Sequence, residues 1–205
     1  MSETGAVKFT AERSPSPLDS FVELPELNFY RTRLRHLGLI GIDANGIGFG
    51  NISVRRGAGP QFYISASGTG ARGELKLSDC AKVVDFDLAR NWLRFEGTAM
   101  ASSESLTHAA LYQADESVGA ILHGHSLPLW KSLLTSAPAT PLEVEYGTLE
   151  MAGAVQDLFR TTDVRDRRVF AMAGHGEGFI SFGRDLAEAY DALLTAMKSP
   201  PIPSP

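Results

Sequence analysis

The chain has 205 residues, enough for one well-buried core and too few for two ordinary domains, and its 43% hydrophobic and 21% charged content is that of a globular protein. A formal net charge of -5 argues against non-specific nucleic-acid binding, which needs a clustered basic surface. Cys80 is the only cysteine, which excludes an intrachain disulfide and a cysteine-cluster metal site. With no signal-peptide pattern in the first twenty residues and no apolar run of membrane-spanning length, a soluble cytoplasmic protein is expected, with no membrane partner.

Residues 1–20, including Ser14-Pro15-Ser16-Pro17, read as a polar lead-in outside the core, followed by one domain over 21–198 and a proline-rich tail over 199–205. Leu24, Leu27, Tyr30, Leu34 and Leu37 recur at threes and fours, predicting a helix that stops at Gly38 or Gly41. His36, among Arg31, Arg33 and Arg35, reads as a surface or satisfied packing histidine of that helix. The alternation of Ile52-Ser53-Val54-Arg55 predicts a strand, with Phe62-Tyr63-Ile64 as its partner across a glycine-rich turn.

Two small-residue loops, Asn45 to Asn51 and Ser65 to Gly70, are of the kind whose backbone amides approach an anion closely; turns that need positive φ explain them equally well. Gly68-Thr69-Gly70-Ala71-Arg72-Gly73 has the spacing of a dinucleotide fingerprint. The stretch after it is too short for the helix that such a site requires, so that reading is rejected.

Lys82–Asp87 and Trp92–Phe95 read as neighbouring strands. Ser102-Ser103-Glu104 opens a helix whose apolar face is Leu106, Ala109, Ala110 and Tyr112. A serine is expected to cap it, placing Glu104 in the first turn, where a carboxylate favours the positive end of the helix dipole. His108, one turn on, reads as a buried hydrogen-bonding residue beneath the site.

Ile121-Leu122-His123-Gly124-His125 is an apolar strand ending in two histidines. Side chains alternate along a strand, so both imidazoles project from one face with Cα atoms roughly 6.5–7 Å apart, within reach of one ion. Leu127-Pro128 then starts a helix, Glu143–Thr148 reads as a strand ending in a turn, and Leu149–Phe159 has helical spacing. Val169–Ala173 is a buried-type strand that delivers His175 between two glycines. Phe179–Phe182 follows as a strand, and Asp185 caps a last helix. A histidine flanked by glycines is poor core material, and His175 makes a reasonable third ligand. Three histidines with one position open is the geometry of a catalytic zinc-type site, with Glu104 able to fill that position at rest and act as a base.

The order of these motifs resembles the class II aldolase/adducin superfamily. The matching pieces are Gly50-Asn51-Ile52-Ser53-Val54-Arg55, Ile64-Ser65-Ala66-Ser67-Gly68, Ser102-Ser103-Glu104, His108 with Tyr112, His123-Gly124-His125, Tyr146-Gly147-Thr148, and His175-Gly176 with Gly183-Arg184-Asp185-Leu186. The resemblance implies a three-layer α/β/α domain around a mixed, mostly antiparallel sheet, assembled as a homotetramer with sites at subunit interfaces. It also implies a divalent metal on His123, His125 and His175, Zn2+ foremost and Mn2+, Fe2+ or Co2+ otherwise. Glu104 would be the acid/base. Asn51, Ser67, Gly68, Ser102 and Ser103 would hold the anionic end of a small phosphorylated or carboxylated sugar-like substrate.

The chemistry expected is that of a metal-dependent lyase passing through an enediolate; dehydration, decarboxylation and epimerisation are alternatives on the same scaffold, and a non-catalytic adducin-like interaction domain is a third. The 4-epimerases carry aspartate where Glu104 stands. The aldolases' tyrosine-bearing segments, between the positions of His125 and Tyr146 and after Met197, have no counterpart, and Tyr146 is the phenol that would replace them.

Overall fold

The computed structural model describes residues 8–57 and 59–198. In chain order the elements are β1 (Thr10–Ser14), α1 (Leu24–His36), β2 (Gly41–Ile42), β3 (Gly48–Phe49), β4 (Asn51–Arg55), β5 (Phe62–Ser65), β6 (Cys80–Asp87) and β7 (Trp92–Glu96). They continue with α2 (Ser105–Ala114), β8 (Ala120–His125), α3 (Leu127–Ser136), α4 (Leu149–Thr161), α5 (Val164–Arg167), β9 (Val169–Ala171), β10 (Gly178–Gly183) and α6 (Leu186–Lys198). Eight strands form one sheet in the order β1-β7-β6-β5-β4-β8-β10-β9, and β2 pairs with β3 separately. Every neighbouring pair in the large sheet is antiparallel except β1 with β7.

Two apolar cores lie on opposite faces of this sheet. One gathers Leu106, Ala110 and Tyr112 of α2 and Met151, Val155 and Phe159 of α4 against Phe62, Ile64, Ile121 and Ile180. The other gathers Leu27 and Leu34 of α1, Leu129 and Leu133 of α3, and Leu186 and Leu193 of α6 against Ile52, Tyr63, Leu122 and Phe179. The strand residues divide between the cores by their period of two. This is the expected three-layer α/β/α arrangement around a mixed, mostly antiparallel sheet.

Local chemistry explains several boundaries. Helix α1 has a proline and Glu26 in its first turn and Arg33, Arg35 and His36 in its last, which complements the helix dipole. Gly38, at φ +71, then ends it. Ser126 accepts from the Leu129 amide and caps α3; Asp185 accepts from the Glu188 amide at 2.8 Å and caps α6.

Three expectations are corrected. Thr10–Ser14 is an edge strand pairing with β7, and Phe9 and Leu18 are buried, so part of the supposed lead-in belongs to the body. Its polar composition suits an edge, where one side of the strand faces water. Glu143–Thr148 is not a strand: Val144 and Tyr146 do point inward, but as a loop folded over the end of the sheet. Glu104 sits at the N-cap position of α2, one residue before the first turn. Residues 1–7 and the expected tail over 199–205 lie outside the described residues.

Arg31 is a feature of the fold that helical periodicity does not reveal. The residue is 1% exposed, and its guanidinium donates to the carbonyls of Arg72 and Gly73 at 2.8 Å each and of Thr69 at 2.6 Å, while Arg35 reaches the carbonyl of Gly70. Burial lowers its pKa to about 10, still well above neutrality, so the group stays charged. Arg31 thereby pins the loop that carries Ser67 and Gly68. Replacing it with Met takes a donor from three carbonyls, of which that of Thr69 keeps the Arg72 amide at 3.0 Å, and should cost about 2 kcal/mol, lowering Tm by about 5 °C; an unchanged melting curve would show that the loop is held by other contacts.

Candidate metal centre and substrate cavity

Strand β8 supplies two of the site's three histidines. Ile121 packs into the α2/α4 core and Leu122 into the opposite one, so His123 and His125 project toward the α2/α4 layer beyond the end of the apolar face. Gly124 between them is sterically required. A Cβ there would lie 2.8 Å from the Phe179 ring and 2.9 Å from the Leu39 carbonyl. His175 comes from the turn between β9 and β10. Gly174 before it passes so close to the Val144 carbonyl that a Cβ would meet it at 1.9 Å, so the loop over the sheet end fits only against glycine.

One nitrogen from each of His123, His125 and His175 lies within 4.8 Å of the other two, a set that could hold a metal ion. His123 Nδ1 donates to the Phe179 carbonyl at 3.0 Å, which leaves its Nε2 carrying the lone pair. That Nε2 stands 3.2 Å from His125 Nε2, a contact that is favourable only with a proton between the two nitrogens. A cation taking that proton's place would be bound by lone pairs already converging. Burial, with the charges of the neighbouring histidines, holds His123 well below its usual pKa. Burial brings His125 to about 4 and His175 to about 3. All three are therefore neutral at pH 7, as ligands must be.

Glu104 completes the cluster. It is 3% exposed; Oε2 accepts from Thr107 Oγ1 at 2.8 Å, and Oε1 is buried without a partner, 3.9 Å from His175 Nε2. Burial raises its carboxyl to about 7, with the Thr107 hydrogen bond and the Lys8 charge pulling the other way. With His175 neutral, the 3.9 Å contact is not an ion pair. An unpartnered carboxylate oxygen beside three converging imidazoles fits a divalent cation: the donor set is three nitrogens with one oxygen in reserve.

Asn51 pairs with His123 across β4 and β8, and its Nδ2 donates to Ser102 Oγ at 3.1 Å. Ser102 Oγ also accepts from the Glu104 amide at 3.3 Å. Ser102 and Asn51 thus tie the start of α2 to the histidine strand. Asn51 Oδ1 is buried without a partner. Ser67 and Gly68 are exposed on the facing loop, Gly68 at φ +73, and Ser103 is half-buried. The Ser67 amide is engaged by the Met100 carbonyl at 2.9 Å, which leaves the Ser67 hydroxyl, and not its N–H, free to meet a ligand. Tyr146 is buried with its ring 4.4 Å from that of His175.

All ten expected residues line one cavity of about 580 Å3, which Glu177 and Asp43 also border. Beneath it, Ser53 Oγ is 2.7 Å from His108 Nδ1 and 2.7 Å from the Tyr112 hydroxyl, so His108 is the buried hydrogen-bonding residue its position suggested. Lys8 is a neighbour that sequence reasoning missed. Its ammonium sits 4.2 Å from the centre of the Tyr146 ring and pairs with Glu145 at 2.8 Å. A lone lysine in a polar stretch gives no signal of that placement.

Comparisons with known proteins identify the fold and the family. L-fuculose 1-phosphate aldolase superposes with a TM-score of 0.63 at 22% identity, covering 91% of this chain and 92% of the other. The L-fuculose-1-phosphate aldolase of Thermus thermophilus gives 0.60 at 23% identity, covering 86% and 89%. YgbL of Klebsiella pneumoniae, described as a candidate aldolase/epimerase/decarboxylase, gives 0.61 at 19% identity, covering 83% of each chain. At these identities the likeness establishes the fold. No curated protein sequence matches significantly. The family model for the class II aldolase and adducin N-terminal domain matches residues 41–199. Most of the chain falls within that match, and the protein therefore belongs to the class II aldolase and adducin family.

Proposed function

We propose that this protein is a divalent-metal-dependent lyase of the aldolase type, acting on a small phosphorylated or carboxylated sugar-like compound. The observation that carries the reading is the unpartnered Glu104 Oε1 in the same cavity as the three converging histidines. A cation of the zinc type on His123, His125 and His175 would supply Lewis acidity toward a carbonyl oxygen. The chain's own residues perform the remaining tasks. Asn51, Ser67, Gly68, Ser102 and Ser103 hold the anionic end with neutral donors. In the cleavage direction the hydroxyl on the second carbon from the carbonyl gives up its proton, the carbon–carbon bond beside it breaks to release an aldehyde, and Glu104 delivers a proton to the carbon next to the carbonyl; a carboxyl whose pKa burial has brought to about 7 exchanges protons readily near neutrality. Tyr146, whose ring lies against that of His175, is the phenol that would take the proton of that hydroxyl.

The same proton step serves a dehydratase, decarboxylase or epimerase, and the likeness to YgbL supports keeping that second reading. A non-catalytic interaction domain, as in adducin, fits less well, because the histidines and Glu104 are all present and assembled. Family membership also supports a homotetramer acting in the cytoplasm; among the described residues no helix is long and apolar enough to cross a membrane.

The reading is tested by incubating Zn2+-loaded protein with a panel of ketose 1-phosphates and following glycerone phosphate with a coupled reductase. Release of glycerone phosphate is the expected result. A dehydrated or decarboxylated product would move the assignment to that branch, and no turnover with any divalent metal would favour the interaction domain.

A further inference from the structure

The cavity is chemically two-ended. Asn51 pairs with His123 on the β4 side of β8, whereas Gly178, next to Glu177, pairs with His125 on the β10 side. Adjacent strands lie about 4.8 Å apart, so the backbones of β4 and β10 are separated by roughly 10 Å with the histidine strand between them. A ligand anchored at Asn51 and Ser102 and touching the histidines extends its far end toward Glu177.

The charges along this path are unusual for a pocket that takes an anion. Among the described lining residues there are three carboxylates, Asp43, Glu104 and Glu177, and no lysine or arginine. Asp43 is occupied within its own loop, accepting from the amides of Asn45 and Ile47 at 2.9 and 2.8 Å. Glu104 is held by Thr107. Glu177 is exposed; its backbone carbonyl accepts from the Ser126 amide at 2.9 Å, and among the described residues its carboxylate has no hydrogen-bonding or ion-pair partner. Its φ is +69, a conformation that side-chain-bearing residues rarely adopt, in a turn where glycine stands on either side. The turn itself does not call for a glutamate.

We propose that Glu177 is a specificity-determining residue: it accepts hydrogen bonds from a hydroxylated or amine-bearing far end of the substrate and repels a second carboxylate there. The substrate class becomes a polyol- or amine-bearing compound with one anionic end. This rests on the reading of the cavity given above, and it favours the aldolase branch over decarboxylation of a doubly anionic compound.

The test is calorimetric titration of Zn2+-loaded protein at low ionic strength with glucitol 6-phosphate and 6-phosphogluconate, which differ only in bearing a hydroxymethyl or a carboxylate at the end remote from the phosphate. The ratio of affinities, alditol over aldonate, should fall about fivefold in Glu177→Gln and further in Glu177→Lys, as expected for a single charge acting across several ångströms of partly hydrated space. Glu177→Gly, which relaxes the backbone, should behave as Glu177→Gln does. Asn51→Ala should weaken both ligands without changing the ratio. A ratio unchanged across the Glu177 variants overturns the proposal while leaving the anionic-end site intact; failure of the wild-type protein to bind either ligand overturns that underlying reading, and this inference with it.

Discussion

Protein carrying His175→Ala or His123→Ala, purified without chelator, should retain less than a tenth of the roughly one zinc-type ion per chain expected of the wild type. Neighbours that merely orient a ligand typically change metal affinity by about 10–100-fold, and loss of a ligand should exceed that. The measurement is metal analysis of each variant beside the wild type, with thermal melts to confirm folding. Both variants should fold, because the cluster lies at the end of the sheet and each removes a desolvated imidazole. His123→Ala also deletes the hydrogen bond to the Phe179 carbonyl and should be the less stable of the two. A full complement of metal in either variant would eliminate the three-histidine centre.

Turnover in Glu104→Gln should fall by about 10^2 to 10^4, with metal content unchanged. The same substitution should make the metal-free protein more stable in alkali. The folded pKa of about 7 lies above the ordinary carboxylate value of 4.5, so the folded chain keeps a proton that the unfolded chain releases. That contribution to stability is fully present below pH 4.5 and is lost as pH rises through 7; by pH 8 the loss amounts to about 3 kcal/mol. Gln carries no such dependence, and metal-free Glu104→Gln should melt about 8 °C above the wild type at about pH 8, with the gap closing toward about pH 4.5. Equal melting temperatures at both pH values would show that Glu104 is better solvated than its 3% exposure implies. Activity above a tenth of wild type would remove it from the proton-transfer role.

What could be read in advance follows from where the physics is local. The His123 and His125 pair was legible because a period of two fixes which face a side chain takes, whatever the rest of the sheet does. The helices α1, α4 and α6 were legible because each has a stripe of apolar residues at helical spacing. Asn51, Ser67, Ser102 and Glu104 could be singled out as residue types, but their meeting depends on β4 lying beside β8 and on α2 crossing above both, which no local pattern encodes. The misreadings have the same origin. Val144 and Tyr146 alternate like a strand because both are drawn inward, yet the partner of that loop is Gly174 and not a neighbouring strand. Thr10–Ser14 shows no apolar face because the edge of a sheet needs none. Arg31 gives no signal at all, since its carbonyl partners lie some forty residues further along the chain.

Strand β10 is the last of the sheet to leave the ribosome, and it carries the carbonyl that fixes the tautomer of His123. A nascent chain that has exposed His123 and His125 has neither that carbonyl nor His175, and at about 5–20 residues per second it waits about 3–12 s before Gly183 follows. On the metal-centre reading, a chain in synthesis would offer a passing ion two unoriented imidazoles of the centre, and competition among zinc, iron and manganese would begin when the sheet closes. The ion held would then be set by the finished cavity and the metal pool around it, not by the first ion the growing chain meets.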